Sequence, residues 1–310
     1  MIIIEKSIND QQLTKKITPS IRVTIVTSCL ALIAFAANSV LCRLALGDSS
    51  IDPAGFTGIR LLSGAITLII IVQLFAKTNK FSVQHIFSLA NTKGWFASVM
   101  LFFYAAFFSF AYLKLSTATG ALILFASVQF SIIGVMLGKG HRLRFIEWLG
   151  VFISSVGFIF LMLPSATQPS FSGFILMVIA GISWAFYTLA GRDAEAPISL
   201  TAENFIRCIP IALVFLIISL SFYSISWQGA LYAVASGSVA SGVGYSIWYL
   251  ALRGLSITQV AISQLSVPLL AALGGVVFIK ETLNYDLVIS GVLILTGILL
   301  VSLKNNQGNY

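Results

Sequence analysis

Three amides, Asn38, Gln129 and Gln264, stand near the middle of long apolar stretches, beyond the reach of water or lipid headgroups. An amide so placed needs hydrogen-bond partners, either on a neighbouring helix or as the amine and carboxylate of a bound molecule. Hydrogen bonds between membrane helices average only ~0.6 kcal/mol, so stability alone is a modest reason to keep three amides there. Five amphipathic aromatics share this depth: Tyr104, Trp184, Tyr187, Tyr245 and Trp248. Each has an N–H or O–H that wants a partner and a ring face on which an apolar or aromatic metabolite could stack. Plain core packing is the alternative for each. The chemistry these residues support is noncovalent recognition of a small molecule, with no cofactor and no metal.

Two arginines, Arg60 and Arg207, lie 147 positions apart at matching places near the starts of two apolar stretches. They read either as substrate ligands or as structural cations that snorkel to headgroups or lock a helix to its neighbours, Arg207 by pairing with Glu203. The duplication favours the structural role, because a substrate site need not occur twice. Arg43, at the far end of the first stretch, reads as an interfacial anchor. No Asp or Glu stands at mid-depth, and Glu203 is the acid placed well inside a stretch, near its end. Proton-coupled export of cationic drugs usually relies on a titratable carboxylate in the site, so neutral or zwitterionic substrates are expected. Paired acids for aspartyl catalysis are missing, and the two histidines, His85 and His141, fall in different loops, so the chain is not expected to be an enzyme. Cys29, Cys42 and Cys208 lie inside apolar stretches without metal spacing and read as small buried hydrophobes.

The elements that position these groups follow from composition. Apolar residues make up 58% of the 310 and charged residues 9%, against about 25% charged in a soluble domain. One soluble core could not bury that much apolar surface, so the solvent is hydrocarbon. Ten stretches approach the roughly 20 residues that a crossing helix needs: 23–46, 54–76, 95–113, 117–138, 145–163, 171–191, 201–221, 228–251, 256–279 and 285–303. The segment from Lys77 to Lys93 has room for a small interfacial element containing His85. The first stretch is too long for a signal peptide and reads as an uncleaved helix. With the N-terminus inside, thirteen Lys and Arg fall in cytoplasmic segments and two, Lys114 and Lys280, outside. This bias predicts that both termini are cytoplasmic. The net charge of +8 is scattered through short loops, so nucleic acid is not an expected partner.

The chain also repeats itself weakly at an offset near 140. Ala111-Tyr112-Leu113-Lys114-Leu115-Ser116 matches Trp248-Tyr249-Leu250-Ala251-Leu252-Arg253, Ser127-Val128-Gln129 matches Ser266-Val267-Pro268, and Gly150 and Gly157 match Gly291 and Gly297. A duplicated unit with an odd number of crossings enters the bilayer in opposite directions, which produces an inverted repeat. The expected fold is an all-α integral membrane protein of ten transmembrane helices, arranged as two inverted five-helix repeats around a central cavity. Its expected units are a cytoplasmic tail at 1–22, a first repeat at 23–163, a second at 171–303 and a cytoplasmic tail at 304–310.

Residues 23–303 resemble the EamA-domain, ten-helix type of the drug/metabolite transporter superfamily. The likeness rests on Phe35-Ala36-Ala37-Asn38-Ser39, Gly58-Ile59-Arg60-Leu61-Leu62, Trp184-Ala185-Phe186-Tyr187 and Ile279-Lys280-Glu281-Thr282-Leu283. The resemblance implies export of small metabolites, often amino acids, across the bacterial inner membrane. The chain departs from that pattern in having Gly140-His141 where members often have Gly-Glu. It has Val128 and Val267 where many have Glu, and Gln129 in place of a proline. Coupling through such carboxylates therefore does not carry over.

Backbone devices fit a bundle that moves. Pro210 and Pro268 interrupt their stretches, and a mid-helix proline frees a carbonyl and allows a kink. Gly134 with Gly138, and Ala271 with Gly275, have the small-xxx-small spacing of close helix contacts at repeat-related places. The expected activity is a secondary transporter, a monomer or homodimer in the bilayer, exporting small neutral or zwitterionic metabolites, aromatic ones among them. Alternatives on the same fold are a lipid flippase and a proton-coupled drug exporter.

Overall fold

The structure is a computed structural model that describes residues 20–47, 49–75, 86, 91–140, 142–162, 169–191, 194, 196–218, 224–255 and 263–303. Residues 1–19 of the tail expected at 1–22, the tail at 304–310, His85 with 76–84 and 87–90 around it, His141 and Arg192 lie outside the described residues, while Ile21 and Arg22 are already helical. The described chain is helical: α1 (Ile21–Gly47), α2 (Pro53–Phe75), α3 (Thr92–Tyr112), α4 (Thr117–Gly138), α5 (Phe145–Leu161), α6 (Phe171–Gly191) and α7 (Pro197–Ile218). α8 runs Trp227–Ala235, turns π over Ser236–Val243 and resumes Gly244–Leu252. α9 runs Ser266–Gly274 with a π turn at Gly275–Ile279, and α10 is Tyr285–Leu303. Among the described residues, six helices (α1 to α4, α6 and α7) are long and apolar enough to cross a membrane, and α5, α9 and α10 are shorter apolar helices. The protein is a multi-pass membrane protein.

Hydrocarbon leaves a backbone only its own hydrogen bonds, which is why unbroken Leu, Ile, Val and Phe runs become helices here. α2 makes the solvent plain. Leu61, Ala65, Leu68 and Val72 are buried, while Leu62, Ile66, Ile70 and Leu74 on the other side are exposed, so both faces are apolar. Helix starts take polar caps. Asp52 accepts from Gly55 N at 2.8 Å ahead of Pro53, Asn91 from Gly94 N at 3.0 Å, and Ser226 from Gly229 N at 3.1 Å. Glu147, in the first turn of α5, accepts from Arg144 N at 2.6 Å.

The expected boundaries differ most at α9. The stretch was expected from residue 256, but 256–262 lie outside the described residues and the helix starts at Ser266. A turn at Leu265 separates it from Gln264, and Pro268 stands in its first turn, where a missing N–H is harmless. Pro210 lies inside α7 as expected.

The principal packing pairs are α5 with α10, α3 with α6, α2 with α7, α4 with α6 and α9, α1 with α8 and α9, α2 with α8, and α3 with α7. α5 and α10 meet through glycine: a Cβ on Gly150 would stand 2.5 Å from Gly297 O. Among the described residues the close contacts expected at Gly134 and Gly138 are not made, since a Cβ at either would meet nothing within 4 Å. Their spacing allows approach, but no neighbouring backbone takes the place. Gly275 is close-packed, with Glu281 and Thr117 in the way of a Cβ, and Ala271 is fully buried.

Candidate functional site

Four helices bring one aromatic cluster together. Trp184 on α6 has Tyr104 of α3 at 4.7 Å between ring centroids, Tyr245 of α8 at 5.1 Å and Tyr187 at 5.4 Å. Phe35 of α1 sets its edge against Trp184, Tyr245 and Trp248 at 6.3, 5.8 and 5.5 Å. Offset and edge-on pairs of this kind add about 0.5–1.5 kcal/mol each beyond area burial. All five aromatics expected at mid-depth therefore belong to one constellation. Between them lies a small buried cavity of about 10 Å³, lined by Phe35, Asn38, Ser39, Tyr104, Phe108, Leu124, Phe125, Trp184 and Tyr245. That is the room of about one water molecule.

Asn38 is the amide that reaches this cavity. Its Oδ1 accepts a hydrogen bond from Ser236 Oγ, at the first position of the π segment of α8. Gln129 and Gln264 are buried but do not line the cavity. The π segment reads Ser-Gly-Ser-Val-Ala-Ser-Gly-Val, small residues throughout. They allow α8 to lie against α2: a Cβ on Gly237 would fall 2.0 Å from Ser63 Oγ and 2.2 Å from Arg60 O. π turns are frequent at functional sites because the widened turn re-aims side chains. Here it directs Ser236 to Asn38 and Ser241 to Arg60.

The two arginines differ in their surroundings. Neither snorkels, for Arg60 is 2% exposed and Arg207 not at all. Arg207 Nη2 meets Glu203 Oε2 at 3.1 Å, Nη1 donates to Asn204 Oδ1 at 3.3 Å and Nε to Ile86 O at 2.5 Å. Glu203 and Asn204 are on α7 itself, and the bond to Ile86 O ties the helix to a neighbouring segment. Arg60 Nε donates to Ser241 Oγ at 3.3 Å and Nη2 to Tyr104 Oη at 3.1 Å. Its guanidinium carbon stands 5.1 Å from the ring centres of both Tyr104 and Phe108, two walls of the cavity.

A second, wider cavity of about 490 Å³ opens where α1 ends and α4 begins, lined by Arg43, Lys114, Thr119, Lys280, Glu281 and Asp286 among others. Arg43 is no free interfacial anchor. Its Nε pairs with Glu281 Oε1 at 3.3 Å and its Nη1 donates to Tyr112 O at 3.2 Å. Glu281 also accepts from Thr117 N at 2.9 and 3.1 Å. Below this clamp an aromatic ladder on α3 leads inward, Tyr112 to Phe108 at 4.8 Å and Phe108 to Tyr104 at 5.4 Å. The four-residue spacing keeps these rings on one face of the helix.

Sequence reasoning missed Phe35 and Phe108 as cavity walls, Ser236 and Ser241 as the polar contacts of α8, and Glu281 as the clamp. The small-residue run at 236–243 is the one signal that pointed to α8 as the helix that others approach closely.

The chain's likeness to known proteins agrees with this architecture. A profile described as the EamA-like transporter family matches residues 171–303. The uncharacterized protein PA1977 of Pseudomonas aeruginosa is 40% identical over 280 residues, 90% of this chain and 94% of that protein. An uncharacterized transporter of Archaeoglobus fulgidus is 30% identical over 217 residues, 64% of this chain and 72% of its own length. The uncharacterized transporter YoaV of Bacillus subtilis is 19% identical over 263 residues, covering 82% and 88%. One crystal structure shares the fold with a TM-score of 0.59 at 21% identity, over 88% of this chain and 96% of its own. With apolar helices packed around a buried aromatic cavity, a relative 40% identical over 90% of its length and a transporter 30% identical over 64% of it, the chain belongs to the EamA-like transporter family.

Proposed function

We propose that the protein is a secondary transporter of the cell's inner (plasma) membrane that exports small zwitterionic or neutral metabolites with an apolar or aromatic body, by alternating access. The observation that carries this reading is the convergence of Phe35, Asn38, Tyr104, Trp184 and Tyr245 on one buried cavity. Stacking faces with a single amide suit a substrate that is mostly apolar and carries few polar groups. The outward direction rests on the family resemblance, and the cytoplasmic placement of both termini on the Lys and Arg bias.

Ten crossings in two inverted repeats are part of the proposal, and the packing pattern supports them. Exchange each helix of α1–α5 with the helix five places later. The α5/α10, α2/α7 and α4/α9 pairs map onto themselves, α3/α6 becomes α8/α1, α4/α6 becomes α9/α1, and α2/α8 becomes α7/α3. Each principal pair thus has its counterpart, as a twofold relation between the halves requires. Turns expected on one side also meet. Ile51, before α2, bridges Ile225, before α8, and Glu281, before α10, holds the start of α4.

Counterflow of a labelled metabolite panel in proteoliposomes, with and without an imposed pH gradient, tests the reading. Exchange of amino acids with apolar side chains, slowed at least tenfold in Asn38→Ala and Trp184→Ala, is the expected result. Parent-like exchange in both variants would remove the cavity from the mechanism. Flux driven by the pH gradient would count against carboxylate-free coupling.

A further inference from the structure

A guanidinium stays charged at every pH a protein meets, so Arg60 carries a full positive charge into the bundle. Holding an ion away from water costs several kcal/mol, and a cation over aromatic faces recovers about 2. The remainder calls for an anion. Among the described residues the ion pairs are Arg43–Glu281 and Arg207–Glu203, and neither involves Arg60. Among the described residues Arg60 donates hydrogen bonds to the neutral hydroxyls of Ser241 and Tyr104, and its Nη1, fully buried, has no hydrogen-bond partner there. The Tyr245 hydroxyl, beside Tyr104 and Ser241, also makes no hydrogen bond of normal geometry. Tyr245 lines the cavity, and the Arg60 guanidinium adjoins it, 5.1 Å from the ring centres of two further lining residues, Tyr104 and Phe108. One positive charge and two spare donors thus converge where a bound molecule would present an oxyanion.

Resting on the transport reading, we infer that Arg60 is the receptor for a carboxylate on the transported molecule, with Tyr245 as its second donor. The substrate class is small carboxylates with an apolar or aromatic body, which includes zwitterionic amino acids and excludes their decarboxylated amines. A guanidinium suits this role because its parallel N–H groups match the two oxygens of a carboxylate, and charge-assisted hydrogen bonds are about twice as strong as neutral ones. Tyr104 then holds the guanidinium in register through Nη2. The opposite ammonium is left to Asn38 and the aromatic faces.

The test uses the full-length protein in proteoliposomes and counterflow of labelled L-phenylalanine. Three unlabelled competitors separate the chemistries: 3-phenylpropionate (carboxylate alone), 2-phenylethylamine (amine alone) and inorganic phosphate (an anion without an apolar body). In the parent, 3-phenylpropionate competes at least about tenfold better than the amine or phosphate. Arg60→Gln loses that preference, Arg60→Lys retains part of it, and Tyr245→Phe weakens it without reversing it. The idea is overturned if 2-phenylethylamine competes as well as 3-phenylpropionate, if phosphate matches the carboxylate, or if Arg60→Gln keeps the parent's ranking. The parent's competitor ranking decides the matter even where Arg60→Gln does not fold. L-phenylalanine exchange with an equally good amine competitor sinks the Arg60 assignment and leaves the transport reading standing. A parent that exchanges none of the probes overturns both.

Discussion

Position 56 is a phenylalanine and position 203 a glutamate, and that difference separates the two arginines. A residue four places earlier on a helix lies on the same face, so Glu203 can reach Arg207, while Phe56 offers Arg60 nothing ionic. The 3.1 Å pair follows directly. Removing one side of a buried pair leaves the other uncompensated. Glu203→Gln should therefore lower the thermal unfolding midpoint in detergent, by the equivalent of about 1–3 kcal/mol, since the carboxylate is partly exposed. The affinity for transported molecules should not change, and a shifted apparent affinity at unchanged stability would move Arg207 into the site. The Tyr and Trp cavity residues were legible because a polar tip at mid-depth stands out against hydrocarbon. Phe35 and Phe108 were not, because among 24 phenylalanines nothing polar distinguishes a wall from lipid-facing packing.

Helices respond to glycine only where something stands opposite. The sequence places Gly134 and Gly138 in the spacing of close helix contacts and Gly150 among the repeat matches. The structure uses Gly150, whose missing side chain lets Gly297 of α10 approach, and leaves the other two facing open space. Small-residue spacing states where a backbone could be approached and carries no information on which neighbour arrives. Gly150→Ala should therefore destabilise the protein by about 1–3 kcal/mol through overpacking. Gly134→Ala should be neutral or stabilising by up to about 1 kcal/mol, through helix propensity. Unfolding midpoints of the two variants in one detergent check the contrast, and equal losses would mean that α4 has a neighbour at Gly134. The same reasoning explains why the π turn of α8 was missed. Its eight small residues predict closeness, but the extra backbone residue per turn is selected by what it must face, Arg60 and Asn38, and these lie on other helices.

At the scale of the whole molecule the question is how a cavity with room for about one water molecule admits a metabolite. Helices must part, and the structure identifies what resists parting at one end. Arg43 belongs to α1, Thr117 to α4 and Glu281 to the turn before α10, so a single carboxylate joins elements from both halves of the chain. Arg43 and Glu281 of the clamp line the wider cavity, and Arg43 reaches Tyr112 O at the head of the ladder Tyr112, Phe108, Tyr104 that ends at Trp184. Its ion pair is partly open to solvent, 27% on the arginine and 14% on the glutamate, so its worth is about 1 kcal/mol. A loss of that size shifts a two-state equilibrium roughly fivefold. Cys42, buried beside Arg43 on α1, reports the opening directly. In a background with Cys29 and Cys208 changed to serine, Glu281→Gln should speed modification of Cys42 by a membrane-impermeant maleimide several-fold. The thiol is reached only when the end of α1 leaves α4 and the α10 turn. Arg43→Gln, which breaks the ion pair and keeps the Thr117 contact, should give a smaller increase. Cross-linking cysteines placed at positions 43 and 281 should arrest exchange, and reduction should restore it. Unchanged Cys42 reactivity in both variants, together with normal exchange in the cross-linked protein, would make the clamp a static brace and move the opening to the opposite end of the bundle.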